Sequence, residues 1–173
     1  MAKIELQEII DVCEASESEY LKLYRPLLGY EDEVSFNVGI DDTLEAALNK
    51  LEEKVGIEVA PDFLQIYLIS NGGKYFDVNL FPLTKDNKDK EGLLYQNFDS
   101  GLREEFDVPA NTIILGDTDD DELILLGVDE EGYYYYCTWD KDNKEQNVIY
   151  DYLLEILMYE IDYHTNAFST EEE

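Results

Sequence analysis

The 173-residue chain is poor in basic side chains: 12 Lys and Arg stand against 42 Asp and Glu, a formal net charge of −30. Proteins that hold nucleic acid or an anionic lipid surface neutralise phosphate with Lys and Arg, so this deficit excludes both as direct partners. Histidine is scarcer still, and the single His164 leaves most of the chain without the commonest general base and metal ligand. The two cysteines, Cys13 and Cys137, have no CxxC spacing and read as core residues. The opening MAKIELQEII carries acids and no long apolar stretch, so it lacks the pattern of a secretory leader, and a reducing cytoplasm is the expected compartment. No stretch approaches the roughly 18 apolar residues of a membrane span. There is no P-loop and no GxGxxG, and the sequence supplies neither a cofactor nor a metal motif.

Such a charge often signals disorder, but 45% of the residues are hydrophobic and 13% aromatic, enough to offset chain entropy. One folded domain over 1–173 is expected. Within it, apolar residues from Ile4 to Leu28 recur at three- and four-residue steps, a helical pattern with a break near Ser16 and Ser18. Asp42 stands three residues before Glu45, the spacing of a capping box, and Leu44, Ala47, Leu48, Leu51 and Val55 form the stripe of a helix closed by Gly56. Pro61 opens a second helix carrying Phe63, Ile66 and Tyr67, which Asn71-Gly72-Gly73 ends.

After Gly73 the period changes. Tyr75 to Leu83 reads as a strand, 85–92 as a solvated loop, and Leu93 to Phe106 as a helix. Thr112–Leu115, Glu122–Val128 and Tyr133–Trp139 have strand composition and read as an antiparallel meander, with Asn147–Tyr150 a further strand and Leu153 to Ile161 a closing helix. Helices, then strands, then a helix favour an α+β layer fold. Residues 1–40 read as a helical N-terminal extension and 165–173 as a disordered acidic tail.

The stretch LEEKVGIEVAPDFLQIYLISNGG, residues 51–73, resembles the opening signature of the SUKH superfamily at Gly56, Ile57, Pro61, Asp62, Phe63, Leu68, Asn71 and Gly72. Residues 112–136 are similar to that family's glycine-punctuated hairpin, and YDYLLEIL to its closing helix. Ala60 departs from the large aliphatic residue usual before the proline. The resemblance implies a mixed, largely antiparallel sheet flanked by helices. It also implies a binding scaffold with no chemistry of its own: a bacterial immunity protein that inactivates a cognate toxin, often a nuclease, or a eukaryotic regulator of cell-wall assembly.

The residues offer little that contradicts this. His164 falls in the last turn of the closing helix with no partner evident nearby. Asp117, Asp119, Asp120, Asp121 and Glu122 invite comparison with a Ca²⁺ loop, but the sixth and twelfth positions counted from Asp117 are Glu122 and Val128, where an EF-hand wants Gly and Glu. That run reads as a solvated hairpin turn or a partner-facing acidic loop. From Glu104 through Asp140 there are twelve acids and no Lys or Arg, a negative field able to steer a basic partner. Tyr133 to Tyr136 make both faces of one strand aromatic, and an exposed pair flanked by acids would suit binding.

The reading is therefore a non-enzymatic immunity protein that occludes a basic toxin domain. Its expected partner-binding residues are Tyr75, Phe76, Asp119, Asp120, Asp121, Glu122, Tyr134 and Tyr136; no catalytic, cofactor or metal residue is expected. An acidic nucleic-acid mimic or general interaction scaffold is the alternative, and a Ca²⁺-dependent or hydrolytic enzyme a third.

Overall fold

The computed structural model describes residues 2–168. Strands β1 (Lys3–Ile4), β2 (Val34–Asn37), β3 (Gly73–Tyr75), β4 (Val78–Leu80), β5 (Thr112–Thr118), β6 (Glu122–Val128), β7 (Tyr134–Asp140) and β8 (Glu145–Tyr150) lie in the sheet in chain order. All these pairings are antiparallel. The helices are α1 (Leu6–Ala15), α2 (Leu21–Tyr24), α3 (Glu45–Val55), α4 (Pro61–Ile69), α5 (Leu93–Phe98), α6 (Leu102–Glu105) and α7 (Leu153–Thr165). Ile113–Leu115 and Leu123–Leu126 are fully buried in succession, as expected of central strands covered on both faces.

The helical periods translate directly. Leu6, Ile9, Ile10 and Cys13 form the buried stripe of α1, whose start is held by Glu5 and Glu8 in a reciprocal capping box. The chain then breaks at Ser16 to Ser18 before α2, as the sequence predicts. Asp41 rather than Asp42 takes the capping role ahead of α3: its Oδ1 accepts the Thr43 N–H at 3.0 Å, and a 3-10 turn intervenes before Glu45. Gly56 ends α3 at φ 92°, the left-handed conformation that costs glycine nothing.

Residues 2–40 are not confined to helices. β1 and β2 extend the sheet beyond β3, and Leu23, Tyr24 and Leu27 are fully buried. The Tyr24 and Tyr75 hydroxyls hydrogen-bond each other at 2.9 Å, so that inside the core one phenol donates to the oxygen of the other. Burial raises both phenols above their ordinary range.

The segment read as one strand, Tyr75 to Leu83, is instead the hairpin β3–β4, turning at Phe76 and Asp77. Phe76 adopts φ 58°, a conformation that bulky residues avoid, so the sequence carries no turn signal there. The helix read over Leu93 to Phe106 is likewise divided at Ser100 and Gly101 into α5 and α6. Thr165 to Phe168 are placed, with the Phe168 N–H on Asp162 Oδ1 at 2.8 Å; the remainder of the expected disordered tail lies outside the described residues.

Two buried asparagines stand in for absent backbone partners. Asn71 gives its Nδ2 to the Leu83 carbonyl at 2.9 Å and accepts the Leu83 N–H at 2.7 Å. Asn97 donates to the Ile114 carbonyl at 2.9 Å and accepts the Ile114 N–H at 2.8 Å, continuing the β5 ladder where no strand lies alongside. Gly72, next to Asn71, turns at φ 71° with the Leu80 carbonyl so near that a Cβ would lie 2.6 Å from it.

Asp62 joins three elements. It lies in the first turn of α4, its Oδ1 accepts the Tyr136 hydroxyl from β7, and its Oδ2 accepts the Leu153 N–H at the start of α7 at 2.7 Å. One carboxylate thus serves the N-terminal ends of two helices, where unpaired N–H groups and helix dipoles favour an anion. Asp62→Ala strands both donors and is expected to cost about 3 kcal/mol, with Asp62→Asn losing less because its carbonyl oxygen still accepts from Tyr136. Urea denaturation followed by circular dichroism checks this, and equal stability of the alanine variant would remove Asp62 from this role.

Candidate functional site

Three turns meet at one end of the sheet. The register places Tyr75 opposite Val78, Thr118 opposite Val78, and Glu122 opposite Asp140, which in turn faces Glu145. The β3–β4, β5–β6 and β7–β8 turns therefore share an edge, cross-linked by Asp119 N–H to the Asp77 carbonyl and Lys141 N–H to the Asp121 carbonyl, both at 3.1 Å. Asp119, Asp120 and Asp121 are exposed on this edge, beside half-buried Asp117 and Glu122. Asp121 takes φ 60°, compatible with the tolerance of Asp for left-handed turns.

Little compensates this charge. The Lys141 amine lies over the Phe106 ring, 5.5 Å from its centroid, Lys144 approaches Asp107 at 3.8 Å, and the Lys74 amine donates to the Phe76 carbonyl, so all three nearby lysines have partners. Among the described residues, Lys and Arg make two ion pairs, this one and Arg25 with Glu14. Desolvation raises the Asp117 carboxyl, against a smaller lowering by Lys141 and Asn79.

Of the eight residues expected to face a partner, the structure brings Asp119, Asp120, Asp121 and Glu122 together. Tyr134 is half-buried with its hydroxyl directed at the Val59 carbonyl, and it pairs with Val128 at the far end of β6, about 20 Å along the strand from Glu122. Three expectations are corrected. Tyr75 is buried with its hydroxyl on Tyr24; Phe76 is buried with its ring stacked on His164 at 4.4 Å; and Tyr136 is buried with its hydroxyl on Asp62. None of the three is presented to solvent. Alternation along β7 explains Tyr136: the face it shares with Tyr134 lies toward α4 and α7.

Different tyrosines are exposed. Tyr152, immediately before α7, and Tyr159 and Tyr163 on it are exposed, the last two by 68% and 74%. Their spacing of seven and four residues is out of phase with the buried stripe Leu153, Ile156, Leu157 and Ile161, a signal legible in the sequence. Val148 and Ile149 on the open edge strand β8 are also exposed.

Neither cysteine is poised for chemistry. Both are free and buried, and burial pushes the Cys137 thiol up to about 12. His164 does have partners. Its Nε2 lies 3.1 Å from Glu160 Oε2 and 3.4 Å from Asp77 Oδ2. Glu160 is one helical turn back, but Asp77 comes from the β3–β4 turn, which sequence reasoning could not bring near.

The molecule is thus an α+β protein with an antiparallel meander and an acidic turn edge, without a nucleophile–base pair at that edge. The sequence model of the SMI1/KNR4 family (SUKH-1) matches residues 43–158, and the chain belongs to that family. No curated protein matches the chain. Family members are generally non-enzymatic and work through protein partners. No helix among the described residues is long and apolar enough to cross a membrane.

The raised Asp117 carboxyl gives a pH prediction. A carboxyl whose pKa is higher in the fold than in the unfolded chain holds its proton more tightly when folded, so stability falls as pH rises from the ordinary carboxylate range through the raised value. Asp117→Asn removes that loss. The variant is expected to match the parent near pH 4 and to melt above it near pH 7, measured by thermal unfolding across that range. A constant difference at all pH values would assign Asp117 a merely steric role.

Proposed function

We propose that this protein is an immunity protein that neutralises a basic toxin domain by covering its active or substrate-binding surface. The observation carrying this reading is the convergence of the β3–β4, β5–β6 and β7–β8 turns into one acidic edge, in a chain with no Lys or Arg between Glu104 and Asp140. Family membership is compatible with the role. A nuclease is the natural target. Its substrate cleft is basic, and an acidic edge competes for that cleft without any chemical change.

Asp119, Asp120, Asp121 and Glu122 are the proposed contact acids. They steer the encounter, raising association toward about 10⁸ M⁻¹s⁻¹ at low salt from roughly 10⁵–10⁶ without steering. Affinity itself comes from a few desolvated anchors, and exposed tyrosine is well suited to that task because it contributes area and a hydroxyl at low entropy cost. Tyr134, half-buried at the opposite end of the sheet, belongs to the same surface only if the partner spans the full length of the strands.

The test is co-expression with the product of the neighbouring toxin gene. Protection from killing and a stable complex on gel filtration are expected. Asp119→Lys with Asp120→Lys and Asp121→Lys should slow association by about tenfold or more and flatten its salt dependence. Unimpaired killing with no complex would sink the reading. Capture of many unrelated basic proteins in moderate salt would replace it with nucleic-acid mimicry.

A further inference from the structure

Where the end of α7 meets the β3–β4 turn, one nitrogen and two carboxylate oxygens converge from elements far apart in sequence. His164 Nε2, Glu160 Oε2 and Asp77 Oδ2 all lie within 4.8 Å of one another. The individual separations from Nε2 are 3.1 Å to Glu160 and 3.4 Å to Asp77. A first-row cation at about 2.0–2.1 Å from each donor sets neighbouring donors about 3.0 Å apart in octahedral and about 3.3–3.4 Å apart in tetrahedral geometry, which brackets both values. A lone Nε2–H points along only one of these two directions, whereas a cation between the three groups engages both.

The donors are also held in place. The His164 ring is stacked on Phe76, with an interplanar angle of 10°, and its edge is packed by Tyr163. Glu160 Oε2 accepts the Asp77 N–H at 2.7 Å, so the backbone of one donor orients the carboxylate of another. Phe76 keeps its place at φ 58°, next to Asp77, against the intrinsic preference of a bulky residue. Such strain persists only where the surroundings over-determine the conformation, and here it puts the aromatic ring under the imidazole and the Asp77 carboxylate beside it. All three donor residues are half-buried, leaving an approach for solvent. The Glu160 carboxyl is raised mainly by desolvation.

We propose that Asp77, Glu160 and His164 form a binding site for a divalent first-row transition metal of the Zn²⁺ class. One neutral imidazole and two carboxylates match the borderline donor preference of Zn²⁺ and carry a charge of −2 that the ion cancels. Three protein ligands leave at least one coordination position open to water or to a partner's side chain. The bound ion clips the last turns of α7 to the β3–β4 turn, at the acidic end of the sheet. Mg²⁺ fits poorly, since it prefers oxygen ligands and keeps most of its water.

His164 is the chain's only histidine, which makes the test unambiguous. Titration of the full chain with ZnCl₂ is expected to show one saturable site by calorimetry and to shift the single imidazole resonance set in NMR spectra, while MgCl₂ at the same concentration does neither. His164→Gln and Asp77→Asn should each weaken Zn²⁺ binding by about tenfold or more, and Asp119→Asn with Asp120→Asn and Asp121→Asn should leave it unchanged. Circular dichroism melts without metal check that the variants fold, and the imidazole shift in the unaltered chain decides the matter if they do not. The absence of a Zn²⁺ response at the imidazole would overturn the site. So would binding that survives His164→Gln but disappears with the triple turn variant, because that pattern belongs to diffuse acidic attraction.

Discussion

The Asp62 carboxylate is the junction on which the arrangement of helices over the sheet depends. It accepts the Tyr136 hydroxyl from β7 and the first N–H of α7 while sitting in the first turn of α4. Each interaction is ordinary, but their sharing of one residue fixes the ends of two helices against one strand. From that anchored end α7 runs with Leu153, Ile156, Leu157 and Ile161 buried, and its last turns arrive at Asp77, at the opposite end of the sheet. The acidic edge and the Asp62 junction are therefore connected through one helix. The same constraint turns Tyr159 and Tyr163 outward, because the buried stripe determines which face of α7 is left for solvent.

Irregular segments are held by a second device, buried amides that replace peptide groups. Asn71 pairs with both backbone groups of Leu83, and Asn97 with both of Ile114. A further buried contact, Asn37 Nδ2 on the Asn71 carbonyl at 2.8 Å, ties β2 to the turn after α4. A short sheet with long excursions between its strands leaves many unpaired donors, and a side-chain amide is the only neutral group with the same donor and acceptor pair as a peptide. This is why the stretch around Asn71 reads as a motif. Its polar residues are consumed by the fold. Tyr75 and Phe76, immediately downstream, are consumed as well, one by Tyr24 and the other by His164.

Legibility followed the range of the interactions. The stripes of α1, α3 and α4, the proline at the start of α4, and the strands β5 to β7 were all readable because each is specified within about a dozen residues. The β3–β4 hairpin was not, since Phe76 occupies a left-handed position that ordinarily announces itself with Gly or Asn. β1 and β2 were missed because the two-residue β1 and the mixed SFN sequence of β2 owe their pairing to partners elsewhere. The surface was legible in part. Asp119 to Glu122 are exposed or half-exposed because turns lie outside, a rule that sequence can apply. Which face of β7 is covered depends on where α4 and α7 lie, and so the pair Tyr134 and Tyr136 could not be sorted from the pair Tyr133 and Tyr135. His164 shows the limit most clearly: Glu160, one helical turn back, is a pairing that the sequence reading overlooked, while Asp77 lies more than eighty residues away in sequence.

The charge of −30 acquires a structural meaning from where the acids are not. They are nearly absent from the fully buried interior, and the two groups that desolvation raises, Asp117 and Glu160, both sit at the turn end of the sheet. Exposed like charges repel weakly, because water and salt screen them, so a turn edge is the least costly place for a protein to concentrate acids. Burial reverses that balance. When a surface carrying Asp119, Asp120 and Asp121 is covered, its screening is lost, and repulsion among these acids grows unless the covering group is cationic. Covering an acidic edge of this kind therefore costs least when the covering group is cationic and most when it is neutral or anionic. Net charge thereby acts as a selection rule at one end of the sheet, while the opposite end, where Tyr134 and the Asp62 junction lie, is closed by hydrogen bonds and packing.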